Sequence, residues 1–323
     1  MGNMWIDGIM GVVVGDALGM PVQFCSREEI KEQPIKEMEG YGTYNMPPGT
    51  WSDDSSMTIA TMDSIRERNG IDCFDIMKKF TIWNYCGEYT PYGKAFDQGC
   101  TCIEAIERFL MTKDCINCGK TGERANGNGA LMRIMPVCLY SYVQYHNEKI
   151  TLKEAVENVH RVSGLTHNHL RSKMACGIYF FMVMAILSSE GSLVESLQKG
   201  MDMAGDFYKS DITNMVEWSR FGRLTNLEEF SKCLENDIKS SGYVLDTIEA
   251  AVWSLITTNS FEEALLRAVN LGDDTDTVGA IAGGLGGLFY GYDSLSDDWR
   301  DIIVKGKEIE ALCELMEEKY YVR

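Results

Sequence analysis

From Val137 to the C-terminus the chain contains no proline, because all six (Pro21, Pro34, Pro47, Pro48, Pro91, Pro136) lie earlier. Within that stretch apolar side chains return every three or four positions, the spacing of a helix with one buried face. The pattern predicts helices over 246–257 (DTIEAAVWSLIT) and 261–269 (FEEALLRAV), the latter opened by Ser260 as N-cap with Glu262 and Glu263 in its first turn. A helix also follows from Met57 (TIATMDSI), from Thr101, after His169, and over 278–290. Near the start, VGDALGMPVQF (14–24) places Asp16 inside a helix that Pro21 should end. Gly and Pro mark 41–50 as a loop, and 112–129 (TKDCINCGKTGERANGNG) is a longer one. Few segments alternate as a half-buried strand would, so the proline-free part reads as helical throughout and the class as all-α. No repeat, low-complexity tract or Ser/Gly/Pro linker divides the chain.

Composition then narrows the partners. The chain has 323 residues, 45% of them hydrophobic, enough for a sizeable core. Its 30 Lys and Arg against 48 Asp and Glu leave a formal charge of −18, which repels polyphosphates and anionic membrane surfaces. No general nucleic-acid partner is expected. The first twenty residues carry no Lys or Arg, unlike a secretory signal, and the apolar run 178–187 is too short to span a bilayer. These features point to a cytoplasmic protein without a membrane role. Eleven cysteines without an export signal read as reduced thiols. Cys115 with Cys118, and Cys100 with Cys102, lack the second pair or histidines of a structural zinc site and read as ordinary buried or loop cysteines.

Two acidic clusters carry the candidate chemistry. In GTWSDDSSM (49–57), Ser52, Asp53 and Asp54 stand at a helix N-terminus, where capping alone explains them. LGDDTDT (271–277) is denser: Asp273, Asp274 and Asp276 exceed what one cap needs, and their repulsion calls for bound cations. Carboxylates mixed with hydroxyls are hard oxygen ligands for Mg²⁺, Mn²⁺ or Ca²⁺. The helix that follows carries Gly279, Gly283, Gly284, Gly286 and Gly287, at about 1 kcal/mol each relative to Ala, which a closely approaching backbone would offset. NGNGALMRIMP (126–136) is a glycine-rich loop opening a helix, whose free N–H groups suit an anion. A lone Asp16 in an apolar helix must be paired or face a ligand, His167 and His169 read as polar or capping residues, and Asp97 reads as a turn residue.

Taken together these segments resemble the ADP-ribosylglycohydrolase family. The matching motifs are VGDALGMPVQF (14–24), GTWSDDSSM (49–57), FDQG (96–99), GNGALMRIMP (127–136), LTHNH (165–169), GYVLDTIEAAVW (242–253) and LGDDTDTVGAIAGGLGGLFYG (271–291), in the family's order along nearly the whole chain. The resemblance implies a single-domain orthogonal helical bundle over 1–323, with two divalent cations, Mg²⁺ or Mn²⁺, held between the early and late acidic motifs. By carry-over, Ser52, Asp53, Asp54, Asp274, Asp276 and Thr277 would be the ligands. Asp97 and Gln23 would act at the scissile bond. Asp16, Gly99, Gly127, Asn128, Gly129, Met132 and His167 would border ADP-ribose, with Tyr243 as an aromatic wall.

The activity so implied is removal of ADP-ribose from a modified side chain, arginine first. O-linked or small-molecule conjugates, and a non-catalytic ADP-ribose-binding or structural member of the family, are the alternatives. Three departures stand out: Ser52 for the usual Thr, Gln23 where many members have Glu, and Cys100 where related enzymes often carry Asn. Gln can orient water but cannot accept a proton, so acid–base work would fall to Asp97 or to a metal-bound water. Residues 190–240 match the family least.

Overall fold

The computed structural model describes residues 2–322, and among these it contains sixteen α-helices, several 3₁₀ turns and no strand. Twelve helices are nine residues or longer: α1 Met4–Gly19, α2 Asp53–Arg68, α3 Cys73–Cys86, α4 Cys100–Thr112, α5 Met135–His146, α6 Leu152–Ser163, α7 Leu170–Ser188, α8 Leu193–Lys209, α9 Val244–Ile256, α10 Phe261–Val269, α11 Thr275–Tyr290 and α12 Gly306–Lys319. Helix α10 has the limits its periodicity predicts, and Ser260 caps it by accepting from the Glu263 N–H. Helix α1 ends at Gly19, and Pro21 falls in a 3₁₀ turn, Met20–Val22.

The axis of the fold is the antiparallel pair α1 and α11. A Cβ on Gly11 would lie 2.2 Å from the Gly283 carbonyl oxygen, and one on Gly15 would lie 2.0 Å from that of Gly279. In return, Gly279, Gly283 and Gly287 of α11 press against the backbone of Gly15, Gly11 and Asp7. The glycine cost of α11 is therefore offset by backbone contact along the length of both helices, closer than any side chain would permit. The matching glycines of α1 are the half of this arrangement that the sequence pattern did not single out. Trp5 Nε1 donates to the Tyr320 carbonyl at 3.1 Å, so the end of α12 closes over the start of α1.

Around this pair the buried apolar side chains form one contiguous cluster from Trp5 to Tyr320. Helix α7 crosses α11, where Tyr179 donates to the Ile281 carbonyl at 3.2 Å. Two stretches of 19 residues, Met4–Val22 and Leu170–Ser188, are long and apolar enough to cross a membrane, which corrects the expectation from the shorter run 178–187. Most of each is buried inside the protein, so their apolarity is that of core helices. Between α8 and α9 the chain breaks into short turns although it has no proline. There Asp211 and Asn226 turn their side chains onto the following N–H groups and restart the chain, which ends the expected helical continuity.

Candidate active site

The glycine contact between α1 and α11 brings the C-terminal end of α1 beside the N-terminal end of α11, and α2 begins against the same point. Asp16 makes that junction. Its carboxylate accepts from the backbone N–H groups of Ser52 (2.9 Å) and Ser55 (3.0 Å) and from Ser55 Oγ (2.6 Å). Fully buried, it is the acceptor for the free N–H groups of α2. It does not line the cavity in front of it but lies behind the lining, against the start of α2.

That cavity, about 240 Å³, is lined by Gln23, Asp53, Asp54, Asp97, Gly99, Gly127, Asn128, Gly129, Met132, His167, Asp274 and Thr277 among the residues the sequence singled out. Ser52 and Asp276 lie just behind this lining. Ser52 caps α2, and its Oγ lies 3.4 Å from Asp54 Oδ2; Thr277 Oγ1 is also 3.4 Å from that oxygen. Asn128 joins the glycine loop to the late acidic motif, donating to Asp274 Oδ2 at 2.7 Å and to Thr247 at 2.9 Å. Asp273 turns away: it is exposed, with φ +62°, and its backbone pairs with Phe24 and Cys25. The dense DDTD signal thus divides into two inward carboxylates and one residue that shapes the loop. Tyr243 also departs from its expected place. It does not line the cavity, and its ring lies 5.8 Å from the Arg171 guanidinium. The aromatic side chain at the mouth is Phe24, 66% exposed and held at φ +67°.

Asp97 sits at φ +59°, in the left-handed region that aspartate enters more readily than most side chains, with its carboxylate beside Asp276 and Gln23. Tyr44, from the loop over 41–50, donates a short hydrogen bond to its Oδ1. Nothing in the sequence pattern marked Tyr44; its loop is pinned to the end of α1 by Thr43, which donates to the Gln23 carbonyl at 2.7 Å. Burial raises the Asp97 pKa, while Tyr44, Asp276 and the Gln23 amide hydrogen-bond to its ionised form and oppose that rise.

The electrostatics are one-sided. Burial, then mutual repulsion, holds Asp53, Asp54 and Asp276 well above the usual carboxylate range, and burial pushes Asp16 up to about 6. No lysine or arginine lines the cavity. Gln23 Oε1, Asp54 Oδ1, Asp97 Oδ2 and Asp276 Oδ2 are buried without a hydrogen-bond donor of normal geometry. Such orphaned acceptors are costly unless a cation or a donor-rich ligand meets them. The donors are all oxygen, as Mg²⁺ and Mn²⁺ require. Among the described residues no three His, Cys, Asp or Glu side chains stand pre-assembled as a metal cluster, so hydroxyls and water would have to complete any coordination.

The supporting contacts were less visible beforehand. Arg27 donates to the carbonyls of Leu271 (2.7 Å) and Ile238 (2.6 Å), fixing the approach to the late acidic motif. Cys118 Sγ donates to the Leu165 carbonyl at 3.1 Å, two residues before His167, so the CxxC segment is a tether for that strand-like stretch. All eleven cysteines are free thiols. His169 does act as a cap, accepting from the Arg171 N–H at 3.1 Å.

Among the described residues the chain is all-helical, and its early and late acidic motifs meet at one oxygen-lined cavity. The chain belongs to the ADP-ribosylglycohydrolase family, whose sequence profile it matches over residues 6–323. It is 29% identical over 306 residues to an ADP-ribosylarginine hydrolase, Tri1, of Serratia proteamaculans, covering 95% of this chain and 76% of that one. It is 28% identical over 299 residues to the ADP-ribosyl-[dinitrogen reductase] glycohydrolase of Rhodospirillum rubrum, covering 91% and 88%. A solved structure described as an ADP-ribosylglycohydrolase-related protein complex superposes with a TM-score of 0.79 at 26% identity, covering 98% of both chains.

Proposed function

We propose that this chain is a single-domain hydrolase that cleaves the bond between ADP-ribose and a modified arginine side chain, releasing ADP-ribose. One observation carries the arginine assignment: the cavity offers acceptors and no cationic side chain. A guanidinium is a donor-only cation, so Gln23 Oε1 and Asp97 Oδ2 meet it with the right polarity. A serine hydroxyl leaving group supplies no such charge. Relatives named as arginine hydrolases support the same choice.

In the proposed reaction water attacks the anomeric carbon of the ribose as the bond to the guanidinium nitrogen breaks, through an oxocarbenium-like state. Asp97 faces the developing positive charge and takes the proton from water; the proton then goes to the departing guanidine. Gln23, which cannot take a proton, orients the water or the leaving group against Asp97. Tyr44 holds the Asp97 carboxylate in place. The glycine loop, Asn128, Met132 and His167 bind the remainder of ADP-ribose, while Asp16 keeps the α2 N-terminus in position.

Ser52, Asp53, Asp54, Asp274, Asp276 and Thr277 would hold two divalent cations. When bound, these orient the ribose hydroxyls and lower the pKa of a coordinated water. The test is mass-spectrometric detection of ADP-ribose released from arginine-linked and serine-linked peptides, each with Mg²⁺, Mn²⁺ or EDTA. Release from the arginine peptide that EDTA abolishes is expected. Release from the serine peptide alone would overturn the arginine assignment, and binding of ADP-ribose without release from either would overturn the hydrolase reading.

A further inference from the structure

Arg133 is fully buried, and its hydrogen bonds among the described residues go to a carbonyl and a hydroxyl and not to a carboxylate. Its guanidinium lies 4.8 Å from the centre of the Phe80 ring, and one nitrogen donates to the Val162 carbonyl (3.2 Å) and to Thr166 Oγ1 (2.8 Å). Nε and Nη1 have no hydrogen-bond partner. Burying an arginine in this way is expensive, and the reaction proposed above does not use it. What it does reach is the next link: Thr166 Oγ1 lies 2.9 Å from His167 Nδ1, and His167 lines the catalytic cavity.

Donor and acceptor rules leave this chain two directions, and in the first the Thr166 proton goes to the imidazole. A guanidinium only donates, so Thr166 Oγ1 accepts from Arg133 and its own proton is free to point at the imidazole. His167 is almost completely buried, and burial holds its pKa far down, at about 3, so the ring is neutral and carries a single proton. With Nδ1 accepting from Thr166, that proton must sit on Nε2. Nε2 faces the glycine loop: a Cβ on Gly127 would lie 3.4 Å from it and one on Gly129 would lie 3.6 Å from it.

We infer that Arg133, acting through Thr166, sets the tautomer of His167 so that its Nε2–H is a permanent neutral donor into the cavity at Gly127 and Gly129. The donor is aimed at an acceptor oxygen of the bound ligand. Arg133 and Thr166 are thus positioning residues. The competing arrangement is built from the same atoms: Thr166 accepts from both Arg133 and His167 Nδ1–H and points its own proton at the neighbouring Cys102 thiol. Nε2 would then be a bare acceptor. The identity of the ligand rests on the reading of the site as an ADP-ribose site, but the tautomer does not.

The experiment is ¹⁵N NMR of the histidine rings in the intact protein, which separates protonated from bare imidazole nitrogens. It is paired with calorimetric titration of ADP-ribose itself. A protonated Nε2 and bare Nδ1 on His167, unchanged from pH 8 to pH 5, is expected. Thr166→Val should mix the tautomers and weaken ADP-ribose binding about tenfold, the loss of roughly one well-formed hydrogen bond; Thr166→Ser should restore the wild-type shifts. A protonated Nδ1 in the native protein, or wild-type ring shifts in folded Thr166→Val, overturns the inference. Correct ring shifts with no ADP-ribose binding would leave the tautomer assignment standing and count against the ligand.

Discussion

At the scale of single residues, the catalytic assignment turns on how Asp97 is held. Its backbone is left-handed, burial works against its charge, and the largest hydrogen-bond contribution opposing that burial comes from Tyr44. Tyr44→Phe keeps the ring packed against Phe96, whose centroid is 5.3 Å away, and deletes only the donor. A hydrogen bond to a charged group contributes about 1.5–3 kcal/mol, so kcat should fall about ten- to a hundredfold with little change in KM. Asp97→Asn should lose turnover while still binding ADP-ribose. Unchanged steady-state rates in Asp97→Asn would reduce Asp97 to a loop-shaping residue, and unchanged rates in Tyr44→Phe would remove Tyr44 from the catalytic assignment. Tyr44 was invisible in the sequence because a tyrosine in a Gly/Pro loop carries no periodic or motif signal; its role exists only once the loop over 41–50 is folded onto the end of α1. The late acidic motif, by contrast, was legible, since three carboxylates in four positions exceed what a helix cap needs, whereas capping alone accounted for Ser52, Asp53 and Asp54 and only the family resemblance singled them out. Asp16 shows the limit: the requirement for a partner was readable, but that the partner would be the backbone of α2 was not.

At the scale of helices, the glycines explain both what was legible and what was missed. Five glycines in α11 signalled close backbone approach, and the structure supplies the partner surface in Gly11, Gly15 and Gly19 of α1. The partner could not be read from local pattern because the two helices lie more than 250 residues apart in the chain. The contact is testable by adding a single methyl group. In Gly283→Ala the new Cβ would stand 2.0 Å from the Gly11 carbonyl oxygen, which neither helix can avoid without separating. Overpacking of this kind costs about 3 kcal/mol or more and should lower the thermal midpoint by several degrees. Gly222→Ala, where a Cβ meets nothing within 4 Å, should change it by less than about 0.5 kcal/mol. Equal midpoints for the two variants in a calorimetric scan would show that α1 and α11 are not in rigid contact. The same separation of helices should also loosen the cavity, since α1 and α11 end at it.

For the molecule as a whole, the acidic site is a place where the fold opposes itself, and the proposed cations would relieve that opposition. Asp54 enters from α2, and Asp274 and Asp276 from the start of α11, so repulsion among them pushes apart two distant parts of the chain. The sign of the pH dependence follows from linkage. Asp53, Asp54 and Asp276 have pKa values raised in the folded state, and Asp16 is raised to about 6. Their contribution to stability is full below about pH 4, the unfolded value, and is lost as pH rises through the folded values. Metal-free protein therefore carries its largest electrostatic penalty near neutral pH and above, where the proposed divalent cations would relieve most of it. Buried His160 and His167 act in the opposite sense, with pKa values lowered to about 4 and about 3, and destabilise the fold as pH falls below about 6.5. Comparing thermal midpoints with Mn²⁺ and with EDTA at each pH cancels the imidazole contribution, which is common to both. The increment should grow from pH 5 to pH 8, reaching about 2.7 kcal/mol per site at a hundredfold excess over Kd. Asp54→Ala and Asp276→Ala should remove it while raising the midpoint of the EDTA-treated protein, because each relieves repulsion. A pH-independent increment, or one that survives in both variants, would place the cations elsewhere. It would also leave the convergence of the two ends of the chain on this cavity without a chemical purpose.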